Sequence, residues 1–140
     1  MTSRSPRGSD SPRAGDPPLV LIVDDSEKNR KLAREVLRAA GFRTLEAGRG
    51  DEAIALAAER RPDLILLDLR LPDMHGTEVA RRLRGDAETE RIAVVALSAS
   101  PPAGGSERLL ARGFDGYLGK PIDVRAFPQQ VRRYCRTDRV

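Results

Sequence analysis

Three acids, one hydroxyl and one amine stand at the same kind of position along this chain. Asp24 and Asp25 close the apolar run Leu19 to Val23, and Asp68 closes Leu64 to Leu67. Ser98 follows Ile92 to Leu97, and Lys120 follows the short segment Gly116 to Leu118. Each has a plain use of its own. An Asp pair favours the positive end of a following helix. Asp68 can cap a turn, Ser98 can cap a helix, and Lys120 can be a surface lysine ahead of a proline turn. Together they point to something else. Acids gathered at the mouths of neighbouring strands raise each other's pKa unless a cation neutralises them. A hard divalent ion with oxygen ligands and several retained waters, most naturally Mg2+, resolves that conflict.

Such a site requires strands that end together, and the sequence supplies them. Apolar runs at Leu19 to Val23, Leu64 to Leu67 and Ile92 to Leu97 read as buried strands, with more polar or shorter strands at Phe42 to Ala47 and Gly116 to Leu118. Helical spacing separates them. Leu32, Ala33, Val36, Leu37 and Ala40 form an inner face after the cap Ser26, closed by Gly41. Ala53, Ile54, Ala57 and Ala58 mark a second helix ended by Pro62, and Thr77 to Arg84 a third with Val79 and Leu83 inward. Ser106 to Arg112 reads as a short fourth helix and Asp123 to about Tyr134 as the last. Alternating strands and helices predict a parallel sheet covered on both faces. The apolar strands belong at the centre and the polar ones at the edges. The fold class is therefore α/β, a three-layer doubly wound five-stranded parallel sheet of order 2-1-3-4-5, the flavodoxin-like arrangement. Working residues in open sheets of this kind lie just past the carboxyl ends of the strands.

At 140 residues the chain is long enough for one domain with one real core. Its 39% hydrophobic and 33% charged residues exclude fibrous and membrane classes. No apolar run reaches the ~18–20 residues of a bilayer span, and no secretory signal opens the chain. A single cysteine, Cys135, excludes a disulfide framework and a Cys-based zinc site, so the chain reads as cytoplasmic. The net charge of +4 resides wholly in the two ends, and no nucleic-acid motif accompanies it. Residues 1–18, rich in Ser, Pro, Arg and Gly, read as a disordered tail, 19–134 as the domain, and 135–140 as a frayed end. His75 reads as a solvated side chain and Cys135 as a half-exposed bystander. The segment Gly48-Arg49-Gly50 is not a dinucleotide fingerprint, and no nucleotide phosphate loop occurs.

Four motifs carry a specific resemblance. They are V-D-D at Val23 to Asp25, L-L-D-L-x-L-P-D-M-x-G at Leu66 to Gly76, A-L-S-A at Ala96 to Ala99, and Y-L-G-K-P at Tyr117 to Pro121. From about Leu19 to Tyr134 the sequence resembles the CheY-like receiver domain of two-component response regulators. Within it, Lys28 to Leu32 and G-K-P-I-D are most similar to stand-alone, DivK-like regulators. The resemblance implies that Asp68 is a phosphoacceptor, a carboxylate nucleophile that forms an aspartyl phosphate. It implies Mg2+ held by Asp24, Asp25, Asp68 and the backbone carbonyl of Arg70. Lys120 is expected to pair with a phosphoryl oxygen and to precede a cis Pro121. Ser98 and Tyr117 are the expected switch pair, and Gly76 the glycine after the strand-three loop. The implied donor is a histidine kinase or histidine phosphotransfer protein, and the implied output is contact with a downstream protein through helix four, strand five and helix five. The chain is then not an enzyme beyond its own phosphorylation and dephosphorylation, with no nucleic-acid or membrane partner, as a monomer or weak dimer. Ending about six residues after the last helix, it is expected to lack an output domain.

Some residues depart from the pattern. Arg70 is expected to tune phosphoryl lifetime by pairing with Asp24 or the phosphate, unless it simply faces solvent. Pro101 to Gly105 predicts a short fourth helix with a mobile approach, and Pro128 a delayed or kinked start to the fifth. Two other readings remain: a receiver-like interaction module without phosphorylation, against which the intact Asp25, Asp68, Ser98 and Lys120 count, and an Mg2+-dependent phosphohydrolase with an aspartate nucleophile. The latter wants a second acid where Arg70 stands.

Overall fold

A computed structural model describes residues 17–99 and 105–135. The expectations for the tail before residue 17, for Pro101 to Gly104 and for residues 136–140 lie outside the described residues. Strands and helices alternate as β1 (Leu19–Val23), α1 (Glu27–Ala39), β2 (Arg43–Ala47), α2 (Gly50–Arg60) and β3 (Leu64–Asp68). They continue as α3 (Gly76–Arg84), β4 (Ala93–Ser98), α4 (Gly105–Ala111), β5 (Gly116–Gly119) and α5 (Phe127–Cys135). The five strands pair in parallel in the order β2-β1-β3-β4-β5.

Side-chain alternation along the central strands divides the core in two. Leu21, Val23, Ile65, Leu67, Val94 and Ala96 point to one face, where α2, α3 and α4 add Ala53, Ala57, Val79, Leu83 and Leu109. Val20, Ile22, Leu64, Leu66, Val95 and Leu97 point to the other, against Ala33 and Leu37 of α1 and Phe127 and Val131 of α5. Every residue of β1 and β3 is buried, while β2 and β5 are largely half-buried, as edge strands should be. All strands run the same way, so their carboxyl ends open on one side.

The helix termini show how the loops on that side are held. The Ser26 hydroxyl accepts from the Asn29 amide and caps α1. The cap of α2 comes from elsewhere in the chain: Asp73, in the loop after β3, accepts from the amides of Gly50 at 2.7 Å and Asp51 at 2.9 Å. These bonds to an N-terminal turn hold the Asp73 carboxyl below its usual range. His75 caps α3 by accepting at Nδ1 from the Thr77 amide.

Two helical expectations need correction. Leu32, assigned to the inner face of α1, is 43% exposed, whereas Ala33 and Leu37 are buried. The last helix starts at Phe127 and not at Asp123. Asp123 instead accepts from the amides of Arg125 and Ala126 in a turn ahead of it. Pro128 then sits in the first turn, where its missing N–H needs no partner. α4 is short, as expected.

At the opposite end of the sheet one arginine ties two loops together. Arg84 Nη1 donates to the carbonyls of Glu90 and Ile92, both at 2.7 Å, and its Nε to the carbonyl of Gly113 at 3.0 Å. Its Nη2 pairs with Asp115 at 2.9 Å. Losing this fork strands two partly buried carbonyls, those of Ile92 and Gly113, so Arg84→Ala should cost about 2 kcal/mol. The expected sign in urea is a lower midpoint with an unchanged slope.

Candidate functional site

Register brings the acids together. Val23 lies opposite Leu67 in the β1–β3 ladder, so the residues that follow, Asp24 and Asp68, emerge side by side. Asp25 comes next along the same turn. Oxygens of Asp24, Asp25 and Asp68 all lie within 4.8 Å of one another. Asp24 is 2% exposed and Asp68 8%, while Asp25 faces solvent.

Lys120 reaches this cluster from the far side of the sheet. Its Nζ lies 2.8 Å from Asp24 Oδ2 and 3.3 Å from Asp68 Oδ2. Burial works against the ammonium, but the bonds to the two acids outweigh it, and the lysine pKa is raised. Burial is also the main influence on Asp68. It raises the carboxyl above its ordinary value, against the opposing pull of the Arg70 amide and Lys120. Three acids share one amine, so the centre is short of positive charge. Hard oxygen donors, close together and open on the Asp25 side, fit a divalent ion such as Mg2+.

Loops around the acids fix their orientation. Asp24 Oδ1 accepts from the Ser26 amide at 2.9 Å, and its Oδ2 from Asn29 Nδ2 at 3.3 Å. The Asp24 main-chain carbonyl accepts from Arg30 Nη1 at 2.7 Å. Asp68 Oδ1 accepts from the Arg70 amide at 3.2 Å. The β3–α3 loop is pinched by an isolated bridge between Arg70 and His75 and by the Gly76 amide on the Leu69 carbonyl at 2.8 Å.

Ser98 ends β4 opposite Gly119, so its position is set by the sheet itself. Its carbonyl accepts from the Lys120 amide at 2.9 Å and from the Tyr117 hydroxyl at 3.3 Å. Tyr117 is partly buried against the core face that carries α3 and α4. The Lys120–Pro121 peptide bond is cis.

Asp24, Asp25, Asp68 and Lys120 therefore converge, while Ser98 ends the neighbouring strand β4 and carries the Tyr117 hydroxyl on its carbonyl. Arg70 does not join them through its side chain. It is exposed, and the Asp24 carboxylate that it was expected to pair with is occupied by Ser26, Asn29 and Lys120. Asn29 and Arg30 lie in the Lys28 to Leu32 stretch, but nothing in the sequence points to their contacts with Asp24, although both stand in the first turn of a helix that starts beside it. A pocket of about 290 Å³ adjoins the acids. Ile22, Ala33 and Leu97 are among its apolar lining, with Leu32 and Ile122, while Asp24 and Lys120 contribute polar groups.

Comparison with known proteins agrees with this geometry. Residues 20–132 match the family model described as the response regulator receiver domain. The chain is 42% identical over 118 residues to the polar-differentiation response regulator DivK of Brucella anthropi, covering 84% of this chain and 96% of that protein. Among solved structures, the receiver domain of a Pseudomonas aeruginosa sensor histidine kinase superposes with a TM-score of 0.78 at 29% identity, covering 86% and 99% of the two chains. That structure has a magnesium ion coordinated in its active-site cleft. The chemotaxis response regulator CheY4 of Vibrio cholerae gives a TM-score of 0.78 at 28% identity, covering 84% and 98%. No described helix is long and apolar enough to cross a membrane.

Proposed function

Because the chain belongs to the response regulator receiver domain family, we propose that it accepts a phosphoryl group on Asp68 from a histidine kinase or histidine phosphotransfer protein and signals through phosphorylation-dependent protein contact. The observation that carries this is the meeting of Asp24, Asp25 and Asp68 within 4.8 Å, with Lys120 bonded to two of them. Asp68 Oδ attacks phosphorus, the P–N bond to the donor imidazole breaks, and the nitrogen keeps the electron pair. Asp24, Asp25, Asp68 and the Arg70 carbonyl would hold Mg2+, which supplies charge neutralisation for the transferring group. Lys120, already against Asp68, takes a phosphoryl oxygen. Ser98 turns toward the new acceptors, and Tyr117 follows into the space behind it. The added charge of about −1.5 to −2 favours whichever conformation offers those donors. Arg70, exposed two residues after Asp68, would meet the phosphoryl group and tune its lifetime. The protein works in the cytoplasm as a signalling domain spanning residues 19–134.

Intact mass after incubation with Mg2+ and phosphoramidate tests the chemistry. One phosphoryl adduct is expected, lost on chelation of the metal and absent from Asp68→Asn. A folded protein with no adduct would instead favour an interaction module that works without phosphorylation.

A protein donor must cover the rim of the site to bring its phosphohistidine to Asp68, and the exposed Leu32 beside the apolar pocket lies on that rim. Leu32→Glu should slow transfer from such a donor about tenfold, the effect of roughly 1.4 kcal/mol at one interface residue. Phosphorylation by phosphoramidate should be unchanged. Equal slowing with both donors would remove the rim from the docking surface.

A further inference from the structure

Asp25 is the exposed member of the acid cluster, and among the described residues its carboxylate takes no hydrogen bond. Its position therefore rests on the main chain just before it. The carbonyl of Asp24 and the nitrogen of Asp25 share one planar peptide, so whatever holds that carbonyl also aims Asp25. The group that holds it is Arg30, through Nη1 at 2.7 Å.

Arg30 is itself clamped. Its Nε pairs with Glu46 Oε1 at 3.2 Å, and the other Glu46 oxygen is held by Arg34 at 2.6 Å. Glu46 stands on β2, the strand whose last carbonyl, at Ala47, accepts the Asp24 amide at 3.1 Å. Amide and carbonyl of Asp24 are thus both anchored to β2, one directly and one through Arg30. Gly48 leaves room for the guanidinium, since a Cβ there would lie 3.2 Å from Arg30 Nη1.

We propose that Arg30 is a positioning residue for the acid cluster, fixing the Asp24–Asp25 peptide against Glu46 so that Asp25 presents its carboxylate to a divalent cation. This rests on the metal-dependent reading above. A planar fork is needed, because one nitrogen serves the strand acid while another serves the carbonyl. Lysine, a single point of charge, can serve only one at a time.

The test is calorimetric titration of the full chain with MgCl2, together with the Asp25 amide resonance in metal-free protein. Arg30→Lys should weaken Mg2+ about tenfold, in the range measured when partners of metal ligands are removed. It should also shift the Asp25 amide before any metal is added. Arg34→Ala takes one guanidinium from Glu46 but leaves the carbonyl bond, and should keep Mg2+ affinity within about twofold of the unaltered chain. Should Arg30→Lys fail to fold, Glu46→Gln loosens the same clamp from the strand side and should weaken Mg2+ by a smaller factor. The proposal is overturned if Arg30→Lys and Glu46→Gln both bind Mg2+ like the unaltered chain, or if Arg34→Ala loses as much affinity as they do. An unaltered chain that binds no Mg2+ overturns the metal-dependent reading as well.

Discussion

Lys120→Met should slow phosphorylation by phosphoramidate about a hundredfold and at the same time tighten Mg2+ binding. The two effects have opposite signs because the ammonium has two roles. Toward the phosphoryl group it is a fixed positive charge aimed at developing negative charge, and removing one such donor typically costs ~10²–10³ in rate. Toward the metal it is a competitor, since it already occupies Asp24 Oδ2 at 2.8 Å and Asp68 Oδ2 at 3.3 Å. Methionine has nearly the same reach and leaves three acids with no cation. Single-turnover labelling and calorimetric titration measure the two sides. A variant that is slow but binds Mg2+ no better would mean that Lys120 and the ion do not share oxygens.

The same variant carries a pH signature. In the metal-free chain its stability deficit should be greatest near neutrality, where the buried Asp68 carboxyl is ionised without its partner. Asp68 has its pKa raised above 3.8, chiefly by burial. A carboxyl raised in the folded state binds more protons folded than unfolded between the two pKa values. It therefore costs stability as pH rises through the folded value, and that cost is relieved as pH falls. Lys120 is raised above 10.5, so its contribution is complete below that value and is lost only as pH rises through the folded one. Thermal unfolding in the absence of Mg2+ should then show the deficit of Lys120→Met shrinking toward pH 4, with no comparable narrowing between pH 7 and 9.

The sheet and the acid cluster were legible because both follow from short-range patterns. Apolar runs as short as these, bounded by proline or polar residues and carrying β-branched side chains, read as strands covered on both faces, and a parallel sheet must deliver the residues after Val23, Leu67 and Leu97 to one edge. Lys120 followed from its place just past the fifth strand, whereas Tyr117 was expected only from the resemblance to receiver domains. What escaped were contacts that depend on how separate loops meet. Asp73 reads as part of the loop motif after β3, yet its carboxylate caps α2, which begins earlier in the chain. Arg30 enters the sequence only as part of the Lys28 to Leu32 stretch, and only the fold shows its fork between Glu46 and the Asp24 carbonyl. Leu32 failed for another reason. Its spacing matches the buried face, but that face ends at a pocket, and helical period cannot distinguish a core from the wall of a cleft.

Gly76→Ala should lower stability by about 1–2 kcal/mol and slow phosphorylation with it. A Cβ at this position would lie 2.9 Å from both the Asp68 carbonyl oxygen and Leu69 Cα. Both are main-chain atoms, so no side-chain rotation relieves the overlap. Overpacking of this kind costs about 1–3 kcal/mol, whereas replacing a helical glycine returns only about 0.5–1. The difference leaves a net loss. Something must shift, and the nearest thing able to shift is the loop from Asp68 to Gly76, which carries the Arg70 amide on Asp68 Oδ1 and the Gly76 amide on the Leu69 carbonyl. Displacing it misplaces the nucleophile, and a misplacement of about 1 Å can cost about a hundredfold in rate. Gly85→Ala is the matched control. That glycine follows the other end of α3, and its nearest neighbours to a Cβ are carbonyl oxygens at 3.5 and 3.8 Å, an ordinary contact. Urea midpoints and labelling rates of the two variants, measured together, separate a general effect of alanine near this helix from a specific one at the loop. If Gly76→Ala matches Gly85→Ala in both, the pinched loop is not what holds Asp68 in place, and the sheet register alone must do so.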